Sequence, residues 1–165
     1  MVRIKHRYLL AEIQWTKLEF TSKDLYHVTL SIYFEIIKAL MDSVLINFGD
    51  FGISKVLYSL RIRYFNPNSR LVIIRCPREA SDMVWQAILF MTMIKEKKVK
   101  IRVLWCSGTI RKLEVKAKEY IVLWANQVYI GWNKGKKGLE EFIMKQKKVL
   151  EEISEIEYWL SWMFV

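Results

Sequence analysis

Tyr64-Phe65-Asn66-Pro67-Asn68-Ser69-Arg70-Leu71-Val72-Ile73-Ile74-Arg75-Cys76-Pro77 is the stretch on which the fold turns. Asn66-Pro67-Asn68-Ser69 has the composition of a turn, because asparagine side chains bond back to nearby backbone and proline presets φ. The run 71–76 behind it is short, apolar and β-branched, as a strand requires. Ahead of it, Val56, Tyr58, Leu60, Ile62 and Tyr64 alternate with Ser59, Arg61 and Arg63, so residues 56–65 read as another strand. The two are expected to pair as a hairpin. Pro77 then takes the first position of a helix, where its missing N–H costs nothing, and Met83, Ala87, Phe90 and Ile94 carry that helix to the lysine cluster at 95–98.

Working outward, residues 7–15 place Leu9, Ala11, Ile13 and Trp15 on one face and Tyr8, Leu10, Glu12 and Gln14 on the other, the pattern of a first strand. Thr21 followed by Asp24 resembles a capping box, and Leu25, Val28, Ile32, Ile36, Leu40 and Val44 then recur at helical spacing until Gly49. Downstream, Val99, Ile101, Val103 and Trp105 alternate with Lys100, Arg102 and Leu104 in a fourth strand. Ser107-Gly108-Thr109 turns the chain into a third helix over about 110–125. The order β-α-β-β-α-β-α is the split βαβ pattern. It implies an α/β (α+β) sandwich, ferredoxin-like or RRM-like, with an antiparallel sheet carrying helices on one face. RNA binders, enzymes and metal chaperones share that pattern, so function must be argued from sites.

The organisation follows: one domain over 1–126, a glycine- and lysine-rich linker over 127–138, and a C-terminal amphipathic helix over 139–165. In that last segment Leu139, Gln146, Ile153 and Leu160 share one heptad position, and Phe142, Val149, Ile156 and Met163 the other. Such a stripe either packs on its own domain or docks on a partner protein, and the residues expected to meet a partner are Leu139, Phe142, Val149, Ile153, Ile156 and Leu160.

Composition narrows the partners. The chain has 165 residues, 53% of them apolar, enough for a core, and 27 Lys+Arg against 17 Asp+Glu leave a net charge of +10. So basic a surface attracts polyanions. No apolar run approaches the roughly 20 residues that span a bilayer, and the basic opening Met1-Val2-Arg3-Ile4-Lys5-His6-Arg7 has no apolar segment of signal-peptide length behind it. No membrane partner is expected, and the protein is expected to work where it is made or in a nucleus. Cys76 and Cys106 are read as small buried hydrophobes.

Catalytic raw material is thin. The histidines are His6 and His27, the two cysteines lie 30 residues apart without ligand spacing, and no phosphate-cradling glycine motif is present, so neither a catalytic residue nor a metal ligand is expected. The charge map says more. Residues 95–118 hold nine basic side chains against Glu96 and Glu114. At the strand-to-helix junction Ser107 and Thr109 are good caps around a glycine, yet Arg111 and Lys112 stand in the first helical turn, where cations oppose the dipole. A phosphate held by the free N–H groups would reverse that penalty; a mere helix cap is the alternative. The third strand lacks the aromatics on which RNA-recognition domains stack bases, so recognition through phosphates and shape is expected.

Four segments together resemble a known family: Met1-Val2-Arg3-Ile4-Lys5-His6-Arg7-Tyr8-Leu9-Leu10, Gly49-Asp50-Phe51-Gly52, Ile73-Ile74-Arg75-Cys76-Pro77-Arg78-Glu79 and Cys106-Ser107-Gly108-Thr109-Ile110-Arg111-Lys112. They are similar in order and spacing to the ribonuclease P/MRP subunit that is the fifth of the Pop series, ribonuclease P protein component 2 in archaea, over about residues 1–124. The resemblance implies a non-catalytic protein subunit of ribonuclease P that binds its RNA and supports 5′-end maturation of precursor tRNA. The RNA itself would hold magnesium and cleave, with no cofactor bound by the protein. It further implies partnership with ribonuclease P RNA, indirectly with precursor tRNA, and with other protein subunits, notably the TIM-barrel-type component 3. Location would be cytoplasmic in an archaeon and nuclear or nucleolar in a eukaryote. The RNA-binding residues expected are Arg3, Lys5, His6, Arg7, Arg75, Arg78, Ser107, Gly108, Thr109, Arg111, Lys112 and Lys116. The rival readings are a generic RNA- or ribosome-associated module of the same fold, and a partner-binding protein acting through its C-terminal helix.

Overall fold

A computed structural model describes residues 5–15, 25–66 and 69–131. The chain divides into two compact units, Met1–Thr109 and Ile110–Val165. In the first, strands β1 (His6–Trp15), β2 (Arg61–Asn66), β3 (Leu71–Pro77), β4 (Met93–Ile94) and β5 (Lys97–Ser107) form one antiparallel sheet in the order β2-β3-β1-β5-β4. The helices α1 (Leu25–Val56) and α2 (Ser81–Phe90) pack against one face of it. With β1 central between β3 and β5, this is the ferredoxin-like split βαβ sandwich that the order of elements implied.

The alternation in β1 decides which face is buried by helices. Leu9, Ala11 and Ile13 join Val72, Ile74 and Cys76 of β3 in the core, against Ile36, Leu40 and Val44 of α1 and Val84, Ala87 and Ile88 of α2. Each large apolar side chain removed from water there contributes about 1.5–3 kcal/mol. The Ser43 hydroxyl donates to the Ala87 carbonyl at 2.8 Å and ties α1 to α2. At the sheet edge, the Tyr33 hydroxyl of α1 accepts the Phe65 N–H at 2.8 Å, and the two rings meet edge-on at 6.0 Å. A backbone donor that edge strand β2 would leave open is thereby satisfied.

Several boundaries differ from the expected ones. The first helix does not stop at Gly49; it bends there, at φ +61° and ψ −160°, and runs on to Val56. Only glycine adopts that conformation without strain. The bend brings the second segment back so closely that a Cβ on Gly52 would lie 2.6 Å from the Phe48 Cβ. Residues 56–60 were expected in a strand because Val56, Tyr58 and Leu60 alternate. Val56 and Leu60 are also four apart, and the helical period wins: the Leu60 N–H donates to the Val56 carbonyl at 2.8 Å, both side chains are buried, and Tyr58 is exposed. Strand β2 starts only at Arg61.

Pro77 ends β3 in an extended conformation, and a short 3-10 turn, Arg78–Ala80, leads into α2. That helix closes at Phe90, not Ile94: Met91 is extended, and Met93–Ile94 pairs with Lys97 and Lys98 as a hairpin, so the lysine cluster makes a turn and a strand start. Strand β5 carries a bulge, since Leu10 faces Trp105 whereas Ala11 faces Val103. Leu104 is the extra residue, which turns Trp105 away from the core and Cys106 toward it. In the second unit, helix α3 (Ile110–Gly131) continues past Ala125, with Leu113, Ala117 and Ile121 buried at four-residue spacing.

Candidate nucleic-acid interface

Pairing register assembles a row of polar residues on the sheet face opposite the α1–α2 layer. Arg61 of β2 lies across from Arg75 of β3, Arg75 across from Tyr8 of β1, and Tyr8 across from Ser107 of β5. A bulge in β2 adds to the row. Ile62 pairs with Ile74 but Tyr64 with Ile73, leaving Arg63 as the inserted residue, and its charge is felt together with those of Arg61 and Arg75. His6, two residues before Tyr8, faces the same group. Three guanidinium groups and an imidazole thus share one end of the sheet.

Nothing acidic offsets them among the described residues. The ion pairs there are Lys95–Glu35, Arg102–Glu12, Lys116–Glu119 and Lys118–Glu114, and none reaches Arg61, Arg63 or Arg75. Burial, then the positive Arg75, push the Arg63 guanidinium down from its ordinary pKa, with Tyr8 pulling the other way and Arg61 adding to the depression. Burial and the charges of Arg75 and Arg63 likewise hold His6 below 6.5. The Nε atoms of both Arg63 and Arg75 are buried without a hydrogen-bond partner. A buried unpaired donor of this kind costs about 1–3 kcal/mol, and like charges opposite one another on neighbouring strands add to that. An anion with several oxygens would remove both penalties.

The centre of this face offers no platform for bases, because Leu10, Leu71 and Ile73 are buried. At the far end of the row, the Ser107 hydroxyl accepts the Thr109 N–H at 3.3 Å, so one amide of the junction is already capped. The space left by the missing side chain of Gly108 is taken by the Arg7 guanidinium, whose Nη1 would lie 2.6 Å from a Cβ there. Arg7 therefore faces the other way from His6: strand alternation splits the basic group at residues 5–7. Its carbonyl accepts a long contact from the Cys76 thiol at 3.7 Å. Lys5 and Arg78 are exposed and adjacent, the Arg78 N–H donating to the Lys5 carbonyl at 3.0 Å.

In the second unit, Arg111 and Lys112 are exposed in the first turn of α3, which holds no acidic residue, while Lys116 is engaged by Glu119 at 2.7 Å. Arg3 and the heptad residues Leu139, Phe142, Val149, Ile153, Ile156 and Leu160 lie outside the described residues. Of the expected set, the structure brings His6 and Arg75 together and adds Arg61, Arg63 and Tyr8, which sequence reasoning missed. A regular hairpin register would have placed Ile62 opposite Arg75; the bulge at Arg63 is what brings Arg61 there, and it left no mark in the alternation.

A cleft of about 690 Å³ with a mixed lining lies on the other side of the first unit, beside α1 and the α2–β4 connection, with Phe34, Ile46, Phe90 and Met93 exposed around it and Glu35, Lys38, Asp42 and Lys95 among its walls. Among the described residues no three His, Cys, Asp or Glu side chains cluster as a metal site, and no helix is long and apolar enough to cross a membrane.

The model of the Rpp14/Pop5 family matches residues 7–118. The ribonuclease P/MRP protein subunit POP5 of Schizosaccharomyces pombe is 40% identical over 124 residues, covering 72% of this chain and 87% of its own length. The probable ribonuclease P/MRP protein subunit POP5 of Arabidopsis thaliana is 37% identical over 114 residues, 67% of this chain and 73% of its own. The human subunit of the same name is 31% identical over 116 residues, 67% and 66% of the two chains. A chain in a cryo-EM structure of yeast ribonuclease MRP aligns over 94% of this chain and 95% of its own at 13% identity and a TM-score of 0.44, too loose a likeness to add to these matches.

Proposed function

Because the chain belongs to the Rpp14/Pop5 family, we propose that it is a non-catalytic, RNA-binding protein subunit of ribonuclease P that supports the catalytic RNA in maturing the 5′ ends of precursor tRNA. The names of its relatives, which join ribonuclease P with MRP, support service in the sister particle as well. The observation that carries the RNA-binding reading is the guanidinium row Arg61, Arg63 and Arg75, which no acidic side chain among the described residues offsets, an electrostatic arrangement that a phosphate backbone would complete. Lys5, His6 and Arg78 extend the basic surface of the first unit, and Arg111 and Lys112 are exposed in the second.

In this reading the protein neither cleaves nor holds metal. The RNA coordinates magnesium and breaks the phosphodiester, while the protein neutralises and positions backbone phosphates. Contact with precursor tRNA is indirect. The cleft beside Phe34 and Ile46, and the heptad over 139–163, supply surfaces for other protein subunits, among them the TIM-barrel-type component 3. The eukaryotic relatives favour work in the nucleus over the cytoplasm.

Reconstitution tests the proposal. Purified protein should leave precursor tRNA intact, and adding it to ribonuclease P RNA with the other protein subunits should raise the cleavage rate or lower the magnesium required. Magnesium-dependent cleavage by the protein with no RNA subunit would overturn it, as would failure to bind ribonuclease P RNA.

A further inference from the structure

Arginines usually carry an RNA interface as independent surface charges, each losing one contact when removed. The row on β2 and β3 is built differently. Arg61 and Arg75 are direct cross-strand partners, and the bulge aims Arg63 into the same space. Arg61 spends one Nη1 donor on the Leu60 carbonyl at 2.7 Å and is exposed, so it serves as a flank. Arg63 and Arg75 are half-buried, and each keeps an unbonded Nε. Two planar forks, each half-buried with a buried and unbonded Nε–H, match an array of several oxygens held by one atom, as in a phosphate, better than they match scattered single acceptors. The bulge is what makes the pair possible, since regular pairing would have turned residue 63 onto the core face beside Ile74.

Resting on the ribonuclease P subunit reading, we infer that Arg63 and Arg75 form a seat for a single backbone phosphate of the RNA, flanked by Arg61 and His6, and that this seat fixes where the RNA lies on the protein. The centre of the sheet face is closed to bases by Leu10, Leu71 and Ile73, so the seat grips backbone and not sequence. The chemistry requires an anion of tetrahedral oxygens. A protein carboxylate offers two oxygens in one plane and would leave part of the paired forks unmet.

The experiment uses the full chain and ribonuclease P RNA, with the variants Arg63→Gln, Arg75→Gln and both together, and Lys97→Gln/Lys100→Gln as a control for exposed charge. If one phosphate is shared, each single variant should weaken binding by about ten- to a hundredfold, and the double variant by little more than either single one. The log K against log salt slope should fall by about one contact, roughly 0.7–0.9, in the double variant and not by two. The melting temperature should hold or rise, because the substitutions neutralise like charges that repel one another. His6 provides an independent readout. Arg63 and Arg75 face it from β2 and β3, with Tyr8 beside it on β1, so its imidazole pKa followed by NMR should rise when RNA fills the seat and should not respond in the double variant. Additive losses with a two-contact slope change would overturn the shared seat. So would wild-type affinity and slope in the double variant, with wild-type protein still binding RNA; that result leaves the subunit reading standing. Loss of both by wild-type protein would instead defeat the subunit reading. Unchanged RNA binding with lost association to another protein subunit would assign the row to a carboxylate and reject the inference.

Discussion

Cys76 shows how much one side chain's chemistry depends on its neighbours. Burial pushes its thiol up to about 12, the nearby Cys106 adds to the shift, and the Arg7 guanidinium opposes it. A thiol whose folded pKa lies above its unfolded value stays protonated in the fold while the unfolded chain loses its proton. Its contribution to stability is therefore whole below the ordinary value of 9.0 and is lost as pH rises toward about 12. Native protein at pH 8 should react with iodoacetamide at Cys76 no faster than unfolding exposes it, and faster labelling than that would contradict the burial. Gly108 makes the opposite point. The sequence places it among the expected RNA-binding residues, whereas the space it leaves holds the far end of the Arg7 side chain. Gly108→Ala should cost less than about 0.5 kcal/mol in a denaturant titration, because a guanidinium can swing aside.

At the scale of elements, the glycines of Gly49-Asp50-Phe51-Gly52 explain why two helical segments follow one another across a bend. Gly49 supplies the positive φ of the bend, and Gly52 supplies the close approach to Phe48 and Val44. Gly49→Ala finds open space but a forbidden conformation, and is expected to cost about 1–3 kcal/mol. Gly52→Ala meets the Phe48 Cβ, a group that cannot rotate away, and should cost about 1–3 kcal/mol by overpacking. Thermal melts of both variants decide the matter; an unchanged midpoint in either removes the corresponding role. The same segment shows why element boundaries escaped the sequence. Val56 and Leu60 satisfy a strand period and a helix period alike, and only the packing of Val56 into the core selects the helix. The bulges at Arg63 and Leu104 are equally silent, because one inserted residue reverses the facing of everything beyond it without altering composition.

For the whole molecule, the family match ends at residue 118, whereas the apolar heptad begins at Leu139. Deleting residues 134–165 is therefore expected to leave RNA binding by the sheet within a few-fold of the full chain and to weaken association with other protein subunits; unchanged assembly in pull-down and an unchanged melting temperature would remove the tail's docking role. What the sequence determined by itself was the order of elements, the inward face of β1, the basic character of the chain and the resemblance of its four segments to a family. These are local properties: alternation, turn composition, charge and motif spacing are all written in neighbouring residues. What only the tertiary structure decided was the gathering of Arg61, Arg63, Arg75, His6 and Tyr8. Pairing register and bulge position arise from contacts between strands far apart in the chain, where a shift of one residue moves a side chain to the opposite face.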